Sequence, residues 1–500
     1  MADQPGESRE AASRPDKTAS DTAGTAPDQP SDELVVTRHT ITTAAGTELH
    51  YTVTSGRMVL RREEHTDDKF DGHQPKAEVF LTSYTLDDGP SQRRPVTFAF
   101  NGGPGSSSVW LHLGLLGPRL ADSGDAGALT PPPYDLVDNP HTLLASSDLV
   151  FIDPVSTGYS RPTKGEKPKD FHGYEADLES VGEVIRLWTS RHGRWLSPKY
   201  LCGESYGTLR AAGLARHLQE KYGMNLNGLM LISTVLDLGL LRGNGHNDTP
   251  YAMFLPTYAA IAHYHGLHGD RPLREVLDEA EAYAARDYPW VLSRGSRLTA
   301  DERAGAVAKL GSLTGLSEDY VDRVELRVEH VRFFTELLRH RRRTVGRLDG
   351  RFTGWDTDYG REHWSADPSM DAIMGPYTAA FNHYVRAELG FLSDLPYEVL
   401  AHSVNEGWSY KEFEGQNVSV AEKLSAAMRA NPYLRVYVAC GYHDGATPYF
   451  SAQHTMAHLR VPEEVRANIE FRYYEAGHMM YVHDPSRIAQ SAHLAEFVST

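Results

Sequence analysis

Two cysteines in 500 residues, Cys202 and Cys440, leave no disulfide framework of the kind that holds small secreted scaffolds together. Each ends an apolar run and reads as a buried, reduced thiol. No hydrophobic stretch approaches the length of a bilayer span. The N-terminus lacks a basic start followed by an apolar core, so no signal peptide is expected and the location is read as cytoplasmic. Positive charge is short as well: 50 Lys and Arg face 67 Asp and Glu, a net charge of -17. A surface of that sign repels phosphate backbones and anionic lipid, which argues against a nucleic-acid or membrane partner. The one basic run, Arg339 to Arg343, reads as a solvated helix end.

What is present divides by pattern. Residues 1–33 carry Ala, Ser, Asp, Pro and Thr with no aromatic residue, and are expected to form a disordered acidic tail. Short alternating segments follow at Leu34–Thr43, Glu48–Thr54, Arg57–Arg62 and Ala77–Thr85, the signature of antiparallel strands. Core strands are expected at Pro95–Phe100, Asp148–Asp153, Tyr200–Cys202 and Leu226–Ser233, with helices at Phe171–His192 and Thr208–Tyr222. Repeated strand–helix–strand units require crossovers and hence parallel pairing.

The strand rhythm stops from about 237 to 431, where helical patterns fall at Met253–His265, Pro272–Ala285, Ala300–Leu313, Glu318–Arg342 and Asp371–Leu389. It resumes at Leu434–Cys440 and Ile469–Tyr474. The expected organisation is a hydrolase core in two parts, 34–236 and 432–500, interrupted by a helical lid insertion over 237–431.

Short motifs carry the chemistry. Gly203-Glu204-Ser205-Tyr206-Gly207 is a G-x-S-x-G turn between an apolar run and a helix, which lifts a serine hydroxyl clear of the backbone as a nucleophile. Asn101-Gly102-Gly103-Pro104-Gly105 ends a strand with glycines that let main-chain N–H groups face a developing oxyanion. It has no G-K-[ST] ending, so a nucleotide-phosphate loop is rejected.

Asp444 and His478 follow the last two strands, and the order Ser, Asp, His is that of an α/β-hydrolase. His478 would act as base on Ser205, and Asp444 would orient it. His443 and His483 are the competing imidazoles, and Asp484 the competing acid. His263, His265 and His268 cluster loosely, but no carboxylate or cysteine sits in register with them, so no metal is assigned.

Taken together, N-G-G-P-G-S-S-S at 101–108, D-P-V-S-T-G-Y-S at 153–160, G-E-S-Y-G at 203–207, Asp444 in G-Y-H-D and G-H-M at 477–479 resemble the serine carboxypeptidases, in a bacterial form without the usual disulfides. The resemblance implies an α/β-hydrolase fold, with a mixed, mostly parallel sheet flanked by helices, and no cofactor. It implies Ser205, Asp444 and His478 as triad, the Gly103 and Tyr206 N–H groups as oxyanion hole, and Asn101, Gly102 and Glu204 as the clamp on the free C-terminal carboxylate of a peptide substrate.

Two facing carboxylates can coexist only if one is protonated. Three positions depart from the family pattern: Ser106 replaces a cysteine, Thr208 a glycine, and Leu115 stands where a second clamp glutamate is expected. An esterase or acyltransferase is the alternative reading, and an inactive hydrolase-fold binding protein a further one.

Overall fold

The computed structural model describes residues 30–87 and 91–500, so most of the expected acidic tail lies outside the described residues. Pro30 and Asp32 already dock on the sheet. The Pro30 carbonyl accepts from Arg61, and the Asp32 carboxylate accepts from the Val59 amide and Arg191.

Nine strands form one sheet: β1 Glu33–Thr42, β2 Glu48–Thr66, β3 Lys69–Leu86, β4 Val96–Phe100, β5 Asp148–Ile152, β6 Lys199–Glu204, β7 Gly228–Ile232, β8 Arg435–Gly441 and β9 Ile469–Tyr474. Their order is β1-β2-β3-β5-β4-β6-β7-β8-β9, with the two-residue strand Arg161–Pro162 added beside β3. Pairing is antiparallel from β1 to β5 and parallel from there to β9. With helices on both faces, this is the α/β-hydrolase fold.

Strands β4 to β7 are buried at every position and mostly apolar, because both faces are covered. Leu201, Leu229, Leu231, Val436 and Val438 face one apolar cluster, and Tyr200, Cys202, Met230, Ile232, Tyr437 and Ala439 face the other. Helices α1 Tyr174–Arg191 and α2 Tyr206–Tyr222 close the first face. The C-terminal helix Asp484–Ser499 closes the second through Leu494, Phe497 and Val498. Both cysteines are free and buried.

The intervening region opens with α3 Thr249–Tyr264, α4 Leu273–Arg294 and α5 Ala300–Thr314, which enclose an apolar cluster of their own. The expected single helix Glu318–Arg342 is broken into α6 Glu318–Arg323, α7 His330–Glu336 and a 3-10 turn at Arg339–Arg341. The break falls at Glu325 and Leu326, both at positive φ, and Glu329 caps the restart. Helix α8 Pro368–His383 follows, and α9 Ala421–Ala430 returns to the main core beside α2. Two strands expected at Glu48–Thr54 and Arg57–Arg62 are one continuous β2.

The strand order fixes where a site can form. From β4 the chain moves to β5 on one side and then to β6 on the other, so the carboxyl ends of β4 and β6 border a topological switch point, where open α/β sheets bind ligands. Asn101 directly follows β4, and Ser205 directly follows β6.

Candidate active site

Ser205 occupies φ 60°, ψ -128° between β6 and α2. A non-glycine residue held there costs on the order of 1–3 kcal/mol, which the surrounding packing must sustain. The turn is too tight for a side chain at Gly203, where a Cβ would lie 2.1 Å from the Gly207 carbonyl oxygen. Thr208, one of the departures, anchors the turn instead of loosening it. Its hydroxyl lies 2.7 Å from the Ser205 carbonyl and accepts the Val235 amide at 2.9 Å, tying the start of α2 to the exit of β7. Ser106, another departure, accepts the Trp110 indole N–H at 2.9 Å.

Asp444 and His478 stand on the loops after β8 and β9. His478 Nδ1 lies 2.8 Å from Asp444 Oδ2. The same carboxylate accepts the Ala446 and Thr447 amides at 2.8 and 2.9 Å and the Thr447 hydroxyl at 2.7 Å. Burial pulls the imidazole of His478 down. The charge and hydrogen bond of Asp444, together with Glu204, outweigh it and leave His478 above its ordinary 6.5. His443 is buried, which with nearby Arg351 takes it down to about 3, and it packs its ring on Tyr264. His483 bonds the Ser486 hydroxyl. Neither borders the cavity that His478 faces.

The segment from Gly346 to Phe352 clasps both loops. The Leu348 carbonyl accepts the His478 amide at 2.6 Å, and the Arg347 carbonyl accepts the Gly445 amide at 3.0 Å. Gly350 N–H donates to the His443 carbonyl at 2.9 Å. Buried Asp349 accepts the Gly477 amide at 3.1 Å while paired to Arg351 at 2.6 Å. Sequence reading placed these residues only within the helical insertion.

Ser205, His478, Asn101, Gly102, Gly103, Glu204 and Tyr206 border one cavity of about 680 Å³. Among the described residues, neither the Gly103 nor the Tyr206 main-chain N–H has a protein acceptor, so both are available to an oxyanion. Glu204 is buried, 3% exposed. Its Oε1 accepts from Asn101 Nδ2 at 2.9 Å and its Oε2 from the Tyr481 hydroxyl at 2.6 Å. Burial drives the carboxyl up to about 7, against the downward pull of His478, Tyr481 and Asn101.

His263, His265 and His268 do not converge. Their Nε2 atoms meet the carbonyls of Arg271, Gly350 and Leu313. Among the described residues, no group of three or more His, Cys, Asp or Glu is placed to hold a metal ion. No helix among them is long and apolar enough to cross a membrane.

The serine carboxypeptidase family model matches residues 72–490. The chain belongs to the serine carboxypeptidase family. No curated protein matches it. Solved structures similar to it include the N-acyl homoserine lactone degrading enzyme Est816, at 13% identity over 87% of this chain and 100% of that one, with a TM-score of 0.35. A thermostable carboxyl esterase from Bacillus coagulans is 11% identical over 93% of this chain and 98% of its own, TM-score 0.35. The thioesterase domain of the curacin biosynthetic pathway is 12% identical over 88% and 98%, TM-score 0.33.

Among the departures from the family pattern, Leu115 is the one that concerns the expected carboxylate clamp. It is buried in the apolar cluster and does not border the cavity. The partner of Glu204 is Tyr481 instead, three residues beyond His478. Gly114 makes room for it, because a Cβ there would lie 2.4 Å from the Tyr481 ring and 2.6 Å from the Tyr377 hydroxyl. Sequence reading missed Tyr481 because nothing in the chain links 114 to 481; only the fold brings them together.

Proposed function

We propose that this protein is a serine carboxypeptidase that removes single residues from peptide C-termini. Ser205 Oγ attacks the last peptide carbonyl while His478 takes the hydroxyl proton, with Asp444 stabilising the imidazolium. The oxyanion is received by the Gly103 and Tyr206 N–H groups. Collapse breaks the C–N bond, His478 returns the proton to the leaving amine, and the acyl-enzyme is cleared by a water activated in the same way. Asn101, the Gly102 N–H and Glu204 hold the terminal carboxylate.

One observation supports this reading most: a buried carboxyl that titrates near 7 shares the cavity with Ser205 and His478. A group of that kind offers a proton to a bound carboxylate, which an esterase pocket has no need of. The test compares matched peptides carrying a free acid or an amide at the C-terminus. The free acid should be strongly preferred at acid pH, and Ser205→Ala should lose at least about 10⁴-fold in kcat. Leu115, in place of a second clamp acid, favours the esterase or acyltransferase reading. Equal rates on acid and amide would establish that alternative, and a Ser205 that resists fluorophosphonate labelling would point to a binding protein.

A further inference from the structure

We infer that Arg347 is a specificity-determining residue that binds an acidic side chain on the residue being released. The inference rests on the carboxypeptidase reading and extends it to the side chain of the leaving residue.

The clamp locates that side of the cavity. Tyr377 stands next to Tyr481 at Gly114, its ring lies 4.9 Å from that of Trp110, and the charge of Glu204 acts on its hydroxyl. Met370 and Met374, on the same helix α8, precede Tyr377 by seven and three residues and therefore share its face. Both methionines border the cavity with Trp110. A residue whose carboxylate is held at Glu204 therefore has an apolar wall for its side chain.

Arg347 borders the same cavity and is half-buried. Its backbone is fixed on two sides: its N–H donates to Asp367 at 3.1 Å, and its carbonyl accepts from Gly445 at 3.0 Å. Among the described residues, no carboxylate lies within 4.0 Å of its guanidinium, in contrast to Arg351 four residues on, which is paired to Asp349 and Asp125. Asp367, an acid in the cavity wall, accepts the amides of Arg347, Leu348 and Ser369 and the Ser369 hydroxyl. Arg347 is thus a half-buried cation without a carboxylate partner on the cavity that the two methionines and Trp110 also border, and a carboxylate entering that cavity can form paired, charge-assisted hydrogen bonds with it.

The main-chain carboxylate is not its partner. Glu204 is flanked by Asn101 and Tyr481, with His478 and Asp444 the charges that act on it, whereas the charge of Arg347 acts on His478. The long, unbranched reach of a glutamate side chain past Met370 and Met374 suits a cation at that end.

The experiment measures kcat/KM on peptides identical but for a free C-terminal Glu, Gln, Leu or Lys, at one pH. The wild type should favour Glu over Gln by about tenfold or more, the discrimination a charge-assisted hydrogen bond provides. Arg347→Gln should bring that ratio close to one, Arg347→Lys should keep part of it, and Arg347→Glu should turn the preference toward Lys. Arg242→Gln, which alters an exposed arginine at the cavity rim, should leave the ratio as it is.

A wild-type ratio near one, or a ratio that survives Arg347→Gln, overturns the inference while the carboxypeptidase reading stands. An equal loss on all free acids relative to their amides would place the guanidinium on the main-chain carboxylate and overturn the side-chain assignment. Release of no C-terminal residue from any peptide would remove the carboxypeptidase reading itself.

Discussion

The loop that carries Asp444 and the turn that carries Glu204 bury two carboxyls in one site, and treat them differently. Four donors converge on Asp444: two amides, a hydroxyl and the imidazole of His478. Among the described residues, two reach Glu204, an amide side chain and a phenol. Donors to a carboxylate stabilise its charged form and burial opposes it. With two donors, burial prevails at Glu204 and the group titrates near 7. On the proposed reading, one carboxyl orients a histidine and the other exchanges a proton.

The largest effect should come from breaking the first region. Asp444→Asn would leave the shape nearly intact and remove the anion that selects the His478 tautomer, so kcat should fall by about 10⁴-fold. Discrimination between free-acid and amide product analogues, read from inhibition constants, should persist. Its pH midpoint should move down, because the charge of Asp444 is one of the influences raising Glu204. Loss of that discrimination in Asp444→Asn would mean that the two carboxyls do not have separate tasks.

A smaller effect should follow from Glu204→Gln. In the wild type, preference for the free acid should fall as pH rises through about 7, where Glu204 loses its proton and repels the substrate carboxylate. The acid limb of kcat/KM should lie above 6.5, since His478 must be neutral to act as base and its pKa is raised. Each charge acts on the other group, so the two limbs belong to the coupled pair.

In Glu204→Gln the fall in preference near 7 should vanish. Stability supplies a second readout. Glu204 holds its proton up to about 7 when folded but only to about 4.5 when unfolded, so native stability declines as pH rises through that window. Glutamine, which can donate to the Tyr481 oxygen and accept from Asn101, escapes this. The variant should match the wild type below pH 4.5 and exceed it above 7 by up to about 3 kcal/mol. Thermal melts at pH 4 and 8 that show no such difference would place Glu204 outside the titrating role.

The same contrast explains what was legible in the sequence. Asp444 and His478 follow the last two strands and Ser205 directly follows another, so local pattern and chain order were enough to single them out as the expected triad. The parallel half of the sheet was readable for the same reason, since strands buried on both faces are continuous apolar runs. The helix expected over Glu318–Arg342 failed where Glu325 and Leu326 take positive φ, a conformation set by tertiary packing that neither residue type announces. The clasp at 346–352 and the partner of Glu204 were not readable. Both depend on contacts between segments more than 90 residues apart, Asp349 with Gly477 and Tyr481 with Glu204. Leu115 marked the place where an acid was missing, but not what replaced it.

Tyr481→Phe tests that replacement with the smallest change. The ring, and with it the seat beside Gly114, stays, while the hydroxyl that donates to Glu204 Oε2 at 2.6 Å is lost. That bond favours the ionised form of Glu204, so without it the carboxyl should keep its proton to higher pH. Losing one charge-assisted hydrogen bond changes the proton affinity of a carboxyl by about tenfold. Free-acid preference should therefore persist to a pH about one higher than in the wild type, opposite in direction to the change expected for Asp444→Asn. Turnover of an ester substrate, which makes no use of the clamp, separates this from general damage to the site. A midpoint that stays fixed would leave Glu204 governed by burial and Asn101 alone, and would remove Tyr481 from the clamp.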